Sequence, residues 1–242
     1  TEEKLIGASL SGLWQQIAAF DIDKDRDMDY LLGNWGKNSK FNASQEHPLR
    51  MYYADFDGNG STETILCNYK NGAYYSLLGL DELASQIVSL RKKFTSYKSF
   101  AGKSIDEIFE KSVLKKARIL EVHTLASGYL KNENNTFTFI PFKNELQVSP
   151  ISAFLEYDFN ADGDNEVLVA GNYFGVSPYQ GRFDSFPGAL IFNEDKIVLG
   201  NKIGLDFNQK AVKKLNIIKV QNKSYVLATI NNDNAQVYEL TN

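Results

Sequence analysis

Aspartates occupy every odd position of the segment DIDKDRDMD, residues 21 to 29. Carboxylates placed this closely repel one another, so a folded chain needs a reason to hold them together. Three interpretations fit the residue types: a solvated acidic turn, a catalytic carboxylate cluster, or a cage of oxygen ligands for a hard cation such as calcium. The choice among them depends on whether the pattern occurs again.

The same spacing occurs twice more, in DFDGNGSTE at residues 55 to 63 and in DFNADGDNE at residues 158 to 166. We call the three segments loop one, loop two and loop three, and we number their positions one to nine. Positions one, three, five and nine carry only Asp, Asn or Glu. Position six is Gly60 or Gly163 in loops two and three, which permits a sharp turn. Loop one has Arg26 there, which predicts strain or a partly filled site.

The spacing favours a cation cage over the two alternatives. Calcium takes about six to eight oxygen ligands, and a tight turn can aim alternate side chains at one centre. An EF-hand would need a bidentate Glu at position twelve and flanking helices, but position twelve is Leu32, Leu66 or Val169. A catalytic cluster is less favoured, because a turn pattern that occurs three times suits a structural role better than one reaction.

The segments around the loops recur as well. Apolar and aromatic runs on both sides of each loop are typical of strands, and each second run is followed by an asparagine and an aromatic residue. These pairs are Asn34–Trp35, Asn68–Tyr69 and Asn172–Tyr173. Each unit is therefore predicted to consist of a strand, an acidic loop, a second strand and a turn.

A loop of the form D-x-D-x-D-G-x-x-D/E between two strands resembles the FG-GAP or VCBS repeat of integrin α-chain propellers and of many bacterial extracytoplasmic proteins. FPGALIF at residues 186 to 192 is similar to the aromatic–glycine segment of that repeat, and the order of motifs resembles the C-terminal part of long bacterial VCBS-repeat proteins. The resemblance implies Ca²⁺ ligands at Asp21, Asp23, Asp25, Asp27, Asp29, Asp55, Asp57, Asn59, Ser61, Glu63, Asp158, Asn160, Asp162, Asp164 and Glu166. Position seven would contribute only its main-chain oxygen.

The expected fold is all-β: a partial or small β-propeller of about three to four four-stranded blades, forming a single domain over residues 1–242. Asp55 and Asp158 are 103 residues apart, far more than one blade of about 40 to 50 residues. Residues 81–118 account for the excess, since their apolar spacing and the Ser104–Glu107 capping box predict an inserted helical hairpin. An incomplete ring of blades leaves strand edges open, which predicts self-association through those edges.

Composition limits the classes of function. Hydrophobic residues make up 43% and charged residues 23% of the 242, which excludes a disordered chain. The net charge of −4 argues against nucleic acid as a partner, and no apolar run is long enough to span a bilayer. The opening segment shows no signal peptide. Calcium modules of this kind suit a secreted, periplasmic or cell-surface setting, where calcium is abundant.

The expected function is non-enzymatic binding or scaffolding, with a carbohydrate or a protein of the cell envelope as partner. Aromatic side chains crowd the segments after the loops, and the candidate ligand-binding residues are Trp35, Tyr173, Phe174, Tyr179, Arg182, Phe183 and Asp184. The alternative is a polysaccharide lyase or hydrolase on a propeller scaffold. Only His47 and His123 offer imidazoles, and no hydrolase or phosphate-binding motif is present. We therefore predict that the chain is not an enzyme.

Overall fold

The computed structural model of the chain describes residues 10–241. The opening segment, in which no signal peptide is predicted, lies for the most part outside this range. No helix within residues 10–241 combines the length and the apolar character needed to cross a membrane.

Most of the regular structure is β. The strands of the described residues are β1 Gln16–Phe20, β2 Asp29–Gly33, β3 Leu49–Ala54, β4 Glu63–Lys70, β5 Ala73–Ser76, β6 Arg118–Val122, β7 Gly128–Glu133, β8 Thr136–Pro141, β9 Ile151–Tyr157, β10 Glu166–Gly171, β11 Ala189–Ile191, β12 Ile197–Leu199, β13 Val212–Val220, β14 Lys223–Ile230 and β15 Gln236–Glu239. Strands hold 39% of the residues and helices 13%. The prediction of an all-β fold is confirmed.

The strands form four separate antiparallel sheets, none of which closes into a barrel. Their strand orders are β1-β2-β7-β8, β5-β4-β3-β6, β12-β11-β10-β9 and β13-β14-β15. The third and fourth sheets are simple meanders. In the first sheet, β2 pairs with β7, so Leu31 lies opposite Tyr129 although the two are far apart in the sequence.

The predicted helical hairpin within residues 81–118 is wrong in form, because the segment contains five short helices in place of two long ones. They are α1 Leu80–Gln86, α2 Leu90–Lys93, α3 Tyr97–Phe100, α4 Ile105–Ile108 and α5 Lys111–Leu114. Short 3₁₀ turns elsewhere cover Asn144–Leu146, Pro178–Gln180 and Gly200–Lys202. The predicted capping box is present, since the Ser104 N–H donates to Glu107 Oε2 at 2.9 Å.

The chain divides into two compact units. Phe41–Thr124 makes up most of one unit, which contains the sheet of β3 to β6 and all five helices. Its core joins Tyr52 and Ile65 of the sheet to Leu83 and Ile108 of the helices. This unit carries loop two.

The other unit contains Gly12–Lys40 and the chain from Leu125 onward, and it carries loops one and three. Strand β10, of sequence EVLVAG, is buried along its whole length. Alternate residues of β10 enter two different cores: Val167 and Val169 pack with Phe186, whereas Leu168 and Ala170 pack with Phe207. Burial on both faces explains why the strand is a continuous apolar run.

Candidate functional site

All three acidic loops connect neighbouring antiparallel strands in the same register. Loop one joins β1 to β2, loop two joins β3 to β4, and loop three joins β9 to β10. In each, the residue before position one is paired with position nine: Phe20 with Asp29, Ala54 with Glu63, and Tyr157 with Glu166. The predicted repeat of strand, loop and strand is therefore present three times.

The carboxylate at position one organises the turn of each loop, since it accepts hydrogen bonds from the N–H groups of positions five and six. The donor–acceptor distances are Asp25 to Asp21 3.1 Å, Arg26 to Asp21 2.9 Å, Asn59 to Asp55 3.1 Å, Gly60 to Asp55 2.9 Å, Asp162 to Asp158 3.2 Å and Gly163 to Asp158 3.1 Å. These N–H groups favour the charged form of the acid. The N–H of Gly60 contributes most to the lowered pKa of Asp55.

The side-chain oxygen at position five accepts the N–H of position seven. The distances are Asp27 to Asp25 2.8 Å, Ser61 to Asn59 2.7 Å and Asp164 to Asp162 2.8 Å. Such turns bend the chain around its own acidic side chains. The repeat therefore extends from residue types to individual hydrogen bonds.

The acid at position nine is buried at the base of each loop. One oxygen accepts the N–H of position two at 3.0 Å, from Ile22 to Asp29, from Phe56 to Glu63 and from Phe159 to Glu166. Burial raises the pKa of Asp29 and of Glu166 despite these hydrogen bonds. A buried acid with raised pKa is one whose charge a nearby cation would stabilise.

Two loops bring their carboxylates close enough to share one ion. Oxygens of Asp21, Asp23 and Asp29 lie within 4.8 Å of one another, and so do oxygens of Asp55, Asp57 and Glu63. A calcium ion bound at 2.3 to 2.6 Å can bridge oxygens separated by up to about 5 Å. The donor sets of loops one and two therefore fit a divalent ion.

Loop two is the loop with the clearest unmet need for a cation. Asp57 Oδ1 is buried and has no hydrogen-bond partner within the described part of the chain. None of the lysine or arginine residues between 10 and 241 forms an ion pair with Asp55, Asp57 or Glu63. A buried carboxylate oxygen without a partner is costly, and a bound ion would remove that cost.

Loop two also borders an open cleft of about 800 Å³. The helices α2, α4 and α5 form the opposite wall, where Leu90, Phe109 and Val113 line the cleft. Asp55 and Asp57 line its other side. The cleft gives an ion in loop two access to solvent.

Loop one already contains a cation of the protein itself. Lys131 Nζ lies 2.9 Å from Asp23 Oδ2, and the two side chains are only 25% and 10% exposed. Burial alone would raise the pKa of Asp23, but Lys131 and the Asp25 N–H outweigh it, so the pKa is lowered. The Lys131 ammonium thus neutralises part of the negative charge that would otherwise attract an ion.

Loop three is also partly neutralised, in part by a lysine of loop one. Lys24 Nζ lies 2.5 Å from Asp164 Oδ2, and Asn160 Nδ2 donates to Asp162 Oδ2 at 2.8 Å and to Glu166 Oε1 at 3.0 Å. The Asn160 side chain therefore directs its amide N–H groups, which cannot bind a cation, toward these two acids. The side-chain oxygen of Asn160 instead accepts the Asp162 N–H at 2.8 Å.

The candidate ligand-binding residues lie together in the unit that carries loops one and three. The Trp35 ring lies 5.4 Å from that of Tyr173 and 5.3 Å from that of Phe183, measured between centroids. Tyr173 and Phe183 are also joined by a β-bridge. Phe183 is only 5% exposed, so its ring is buried where it contacts Trp35. Arg182 pairs with Asp184 at 3.1 Å.

Positively charged side chains cover ring faces at this surface. Lys213 Nζ lies 4.9 Å from the centroid of Tyr173, Arg182 Cζ 4.2 Å from Phe174, and Lys40 Nζ 3.6 Å from Tyr179. Tyr179 is 57% exposed. Sequence reasoning missed Lys40 and Lys213, because nothing in their local sequence indicates an aromatic partner.

The recurring asparagines have a structural role that their sequence positions did not reveal. Asn172 Nδ2 donates to the carbonyls of Phe186, Phe207 and Lys210 at 2.9, 2.8 and 3.1 Å, and its Oδ1 accepts the Phe186 N–H. Asn34 is likewise fully buried and donates to the carbonyl of Ala126. The signal in the sequence that could have revealed this role was the recurrence of an asparagine at a corresponding place after each loop.

Each histidine contacts a side chain among those that the structure describes. His47 stacks on Tyr69 with centroids 3.8 Å apart, and His123 Nδ1 lies 2.7 Å from the Ser11 hydroxyl. Burial raises the pKa of the Cys67 thiol to about 12. Cys67 is buried in the core and behaves as a small hydrophobe.

A scan against models of protein families and a search of curated proteins each returned no match to this chain.

Proposed function

We propose that this protein is an extracytoplasmic, calcium-stabilised module of the FG-GAP/VCBS type that binds or scaffolds a partner and catalyses no reaction. The observation that carries the proposal is the unpartnered, buried Asp57 Oδ1 in loop two, next to two further carboxylates. Calcium supplies the positive charge that would neutralise this carboxylate. Its preference for several oxygen ligands also suits the alternating acids.

We infer a propeller from the repeated loops and sheets. Four separate antiparallel sheets, three with four strands and one with three, agree in number and size with about three to four blades. Each acidic loop joins neighbouring strands of one sheet, as the FG-GAP resemblance implies. In this proposal, the ions fix the strand ends of the blades and the connecting segments carry the partner surface.

The three loops are expected to differ in their need for calcium. Loop two has no internal counter-cation among the residues described, whereas loop one has Lys131 and loop three has Lys24. An ion entering loop one or three must displace or tolerate an ammonium group, which weakens binding. Loop two is therefore the principal site.

Replacing Asp57 tests the proposal directly. Asp55 and Glu63 also hold the backbone of the loop, but Asp57 Oδ1 has no such contact. Asp57→Asn should therefore remove calcium binding at loop two while leaving the turn intact. Isothermal titration calorimetry should show one calcium ion fewer per chain for this variant.

The matched control is Glu46→Gln, which removes an exposed acid from the same unit. It should bind as much calcium as the unaltered protein. Equal calcium uptake by Asp57→Asn and the unaltered protein would show that loop two is a bare acidic turn.

We further propose that the module self-associates through an open strand edge. Strand β6 pairs only with β3 among the strands described, and it exposes Ile119 and Leu120 at 41% and 44%. An exposed apolar edge strand is a template for pairing with another chain. Sedimentation of Leu120→Lys beside the unaltered protein tests this, since a lysine should favour the monomer.

A further inference from the structure

The strongest unexplained feature is a cationic surface in the unit that carries loops one and three. It comprises Lys40, Tyr173, Phe174, Tyr179, Arg182 and Lys213, and we call it the basic–aromatic surface. The surface consists of three pairs, in each of which one of the three cations lies over one of the three rings. Tyr173 is also bridged to Phe183, which follows Arg182 directly in the chain.

The rings hold the cations in place. Arg182 and Lys40 would otherwise sample many rotamers in solvent, but a ring face attracts a cation and limits that motion. Lys40 Nζ also donates to the carbonyl of Tyr179. The surface thus presents ordered positive charges on a chain whose net charge is −4, and the charge of Arg182 is partly neutralised by Asp184 at 3.1 Å.

We propose that the basic–aromatic surface binds an acidic polysaccharide whose sugar rings carry carboxylates. This inference rests on the proposed role as a binding module and assigns its ligand class. A uronate ring has a C–H face that packs on the face of an aromatic ring and a carboxylate that pairs with a neighbouring cation. The surface offers both groups side by side at each of its three rings.

The same contacts disfavour two other ligand classes. Neutral sugars and unpaired bases stack on free ring faces, whereas one face of each ring here already carries a cation. Nucleic acid would also require a wider basic surface. The proposal therefore favours charge pairing at the cations over stacking on the rings.

Oligogalacturonides of one fixed length provide the probe. Their carboxyl-reduced forms, in which each carboxylate is a primary alcohol, provide the matched neutral ligand. We expect calorimetric binding of the acidic form that weakens as salt is added, and no measurable binding of the reduced form. The titrations are run without added calcium, so that the ligand does not gel.

The variants are Lys40→Gln, Arg182→Gln and Lys213→Gln. Each should weaken binding about threefold, as for an exposed ion pair, and the triple variant about thirtyfold. The control is Lys196→Gln, whose ammonium lies 3.9 Å from the Phe192 ring on the hairpin between β11 and β12. This variant should bind as tightly as the unaltered protein.

Three results would overturn the inference: equal binding of the acidic and reduced oligosaccharides, an equal loss in the control variant, or tighter binding of polyglutamate or a single-stranded oligonucleotide. The calcium titration keeps this test separate from that of the proposed function. Asp57→Asn should lose calcium and keep the polysaccharide, whereas the triple variant should do the reverse.

Discussion

At the scale of single residues, position six shows that the loop backbone stays the same while the side chain changes. Gly60 and Gly163 have φ values of 87° and 94°, and Arg26 of loop one has a φ of 77°. All three lie in the left-handed region, which glycine enters freely and other residues enter at a cost. The strain predicted for loop one is therefore present at Arg26.

Arg26→Gly should stabilise the protein slightly. Relief of the left-handed conformation contributes about 1 to 2 kcal/mol, and the greater freedom of glycine in the unfolded chain offsets about 0.4 to 1 kcal/mol. We expect a gain of about 0.5 to 1 kcal/mol in the free energy of unfolding, measured by urea denaturation.

The reciprocal change, Gly60→Arg, should lower that free energy by a similar amount. Its added side chain meets no atom within 4 Å at the Cβ position, so backbone conformation dominates the effect. A loss of stability in Arg26→Gly would mean that Arg26 makes a contribution beyond its backbone.

The sequence predicts which residues form the loops, but it does not reveal their counter-cations. Alternating acids at fixed spacing identify all three turns, because the side chains of a turn are set by local geometry. Lys131 reaches Asp23 only because β7 pairs with β2. A partner supplied by a distant strand leaves no trace in the local pattern.

At the scale of elements, a buried asparagine holds the turn after β10. Asn172 has a φ of 75°, a conformation that asparagine tolerates better than most residues. Its amide satisfies backbone groups of two other segments, at Phe186 and in the turn that contains Phe207 and Lys210. One side chain thus replaces the regular hydrogen bonds that a turn lacks.

Asn172→Ala should lower the free energy of unfolding by about 3 kcal/mol, since it leaves several buried backbone groups without a partner. Urea denaturation measures the change. Asn68→Ala provides the comparison, because Asn68 is only partly buried, whereas Asn172 is fully buried; Asn68 accepts the N–H of Asn42. Equal losses in both variants would contradict the bracing role of Asn172.

In the helical segment, the apolar periodicity predicts which residues are buried but not where the helices end. Leu83, Ile87, Leu90 and Phe94 are all buried, so the predicted stripe does face the core. The helix nevertheless ends at Gln86 and a new one begins at Leu90. The β-branched pair Ile87–Val88 and the following serine are poor helix formers, so the pattern of burial continues where the hydrogen bonding does not.

At the scale of the whole molecule, the fold class follows from local patterns and the sheet pairing does not. Short runs of apolar and aromatic residues predict β structure, and the sheets confirm it. Pairings such as β3 with β6 depend on strands separated by the whole helical segment. Only the folded chain specifies which strands meet.

Removing calcium should lower the melting temperature of the protein. At a free calcium concentration ten times the dissociation constant, one filled site adds about 1.4 kcal/mol by mass action. In a chain of this size, that free energy corresponds to a shift of about 3 to 6 °C. Differential scanning calorimetry in EDTA and in millimolar calcium measures the shift.

Magnesium serves as the control for this measurement, because it demands a stricter octahedral geometry and gives up its water reluctantly. It should restore less of the melting temperature than calcium does. Identical melting curves in EDTA and in calcium would argue against any stabilising ion.

The bond between Lys24 and Asp164 joins two loops that are 140 residues apart in the chain. An ion in loop three would repel this ammonium group, which pairs with the Asp164 side chain outside the expected ligand set, since position seven offers only its main-chain oxygen. Thermodynamic reciprocity then requires each loop to alter the affinity of the other by the same factor. In the proposed calcium-bound protein, this bond would couple loops one and three, and their combined binding isotherm should depart from that of independent sites.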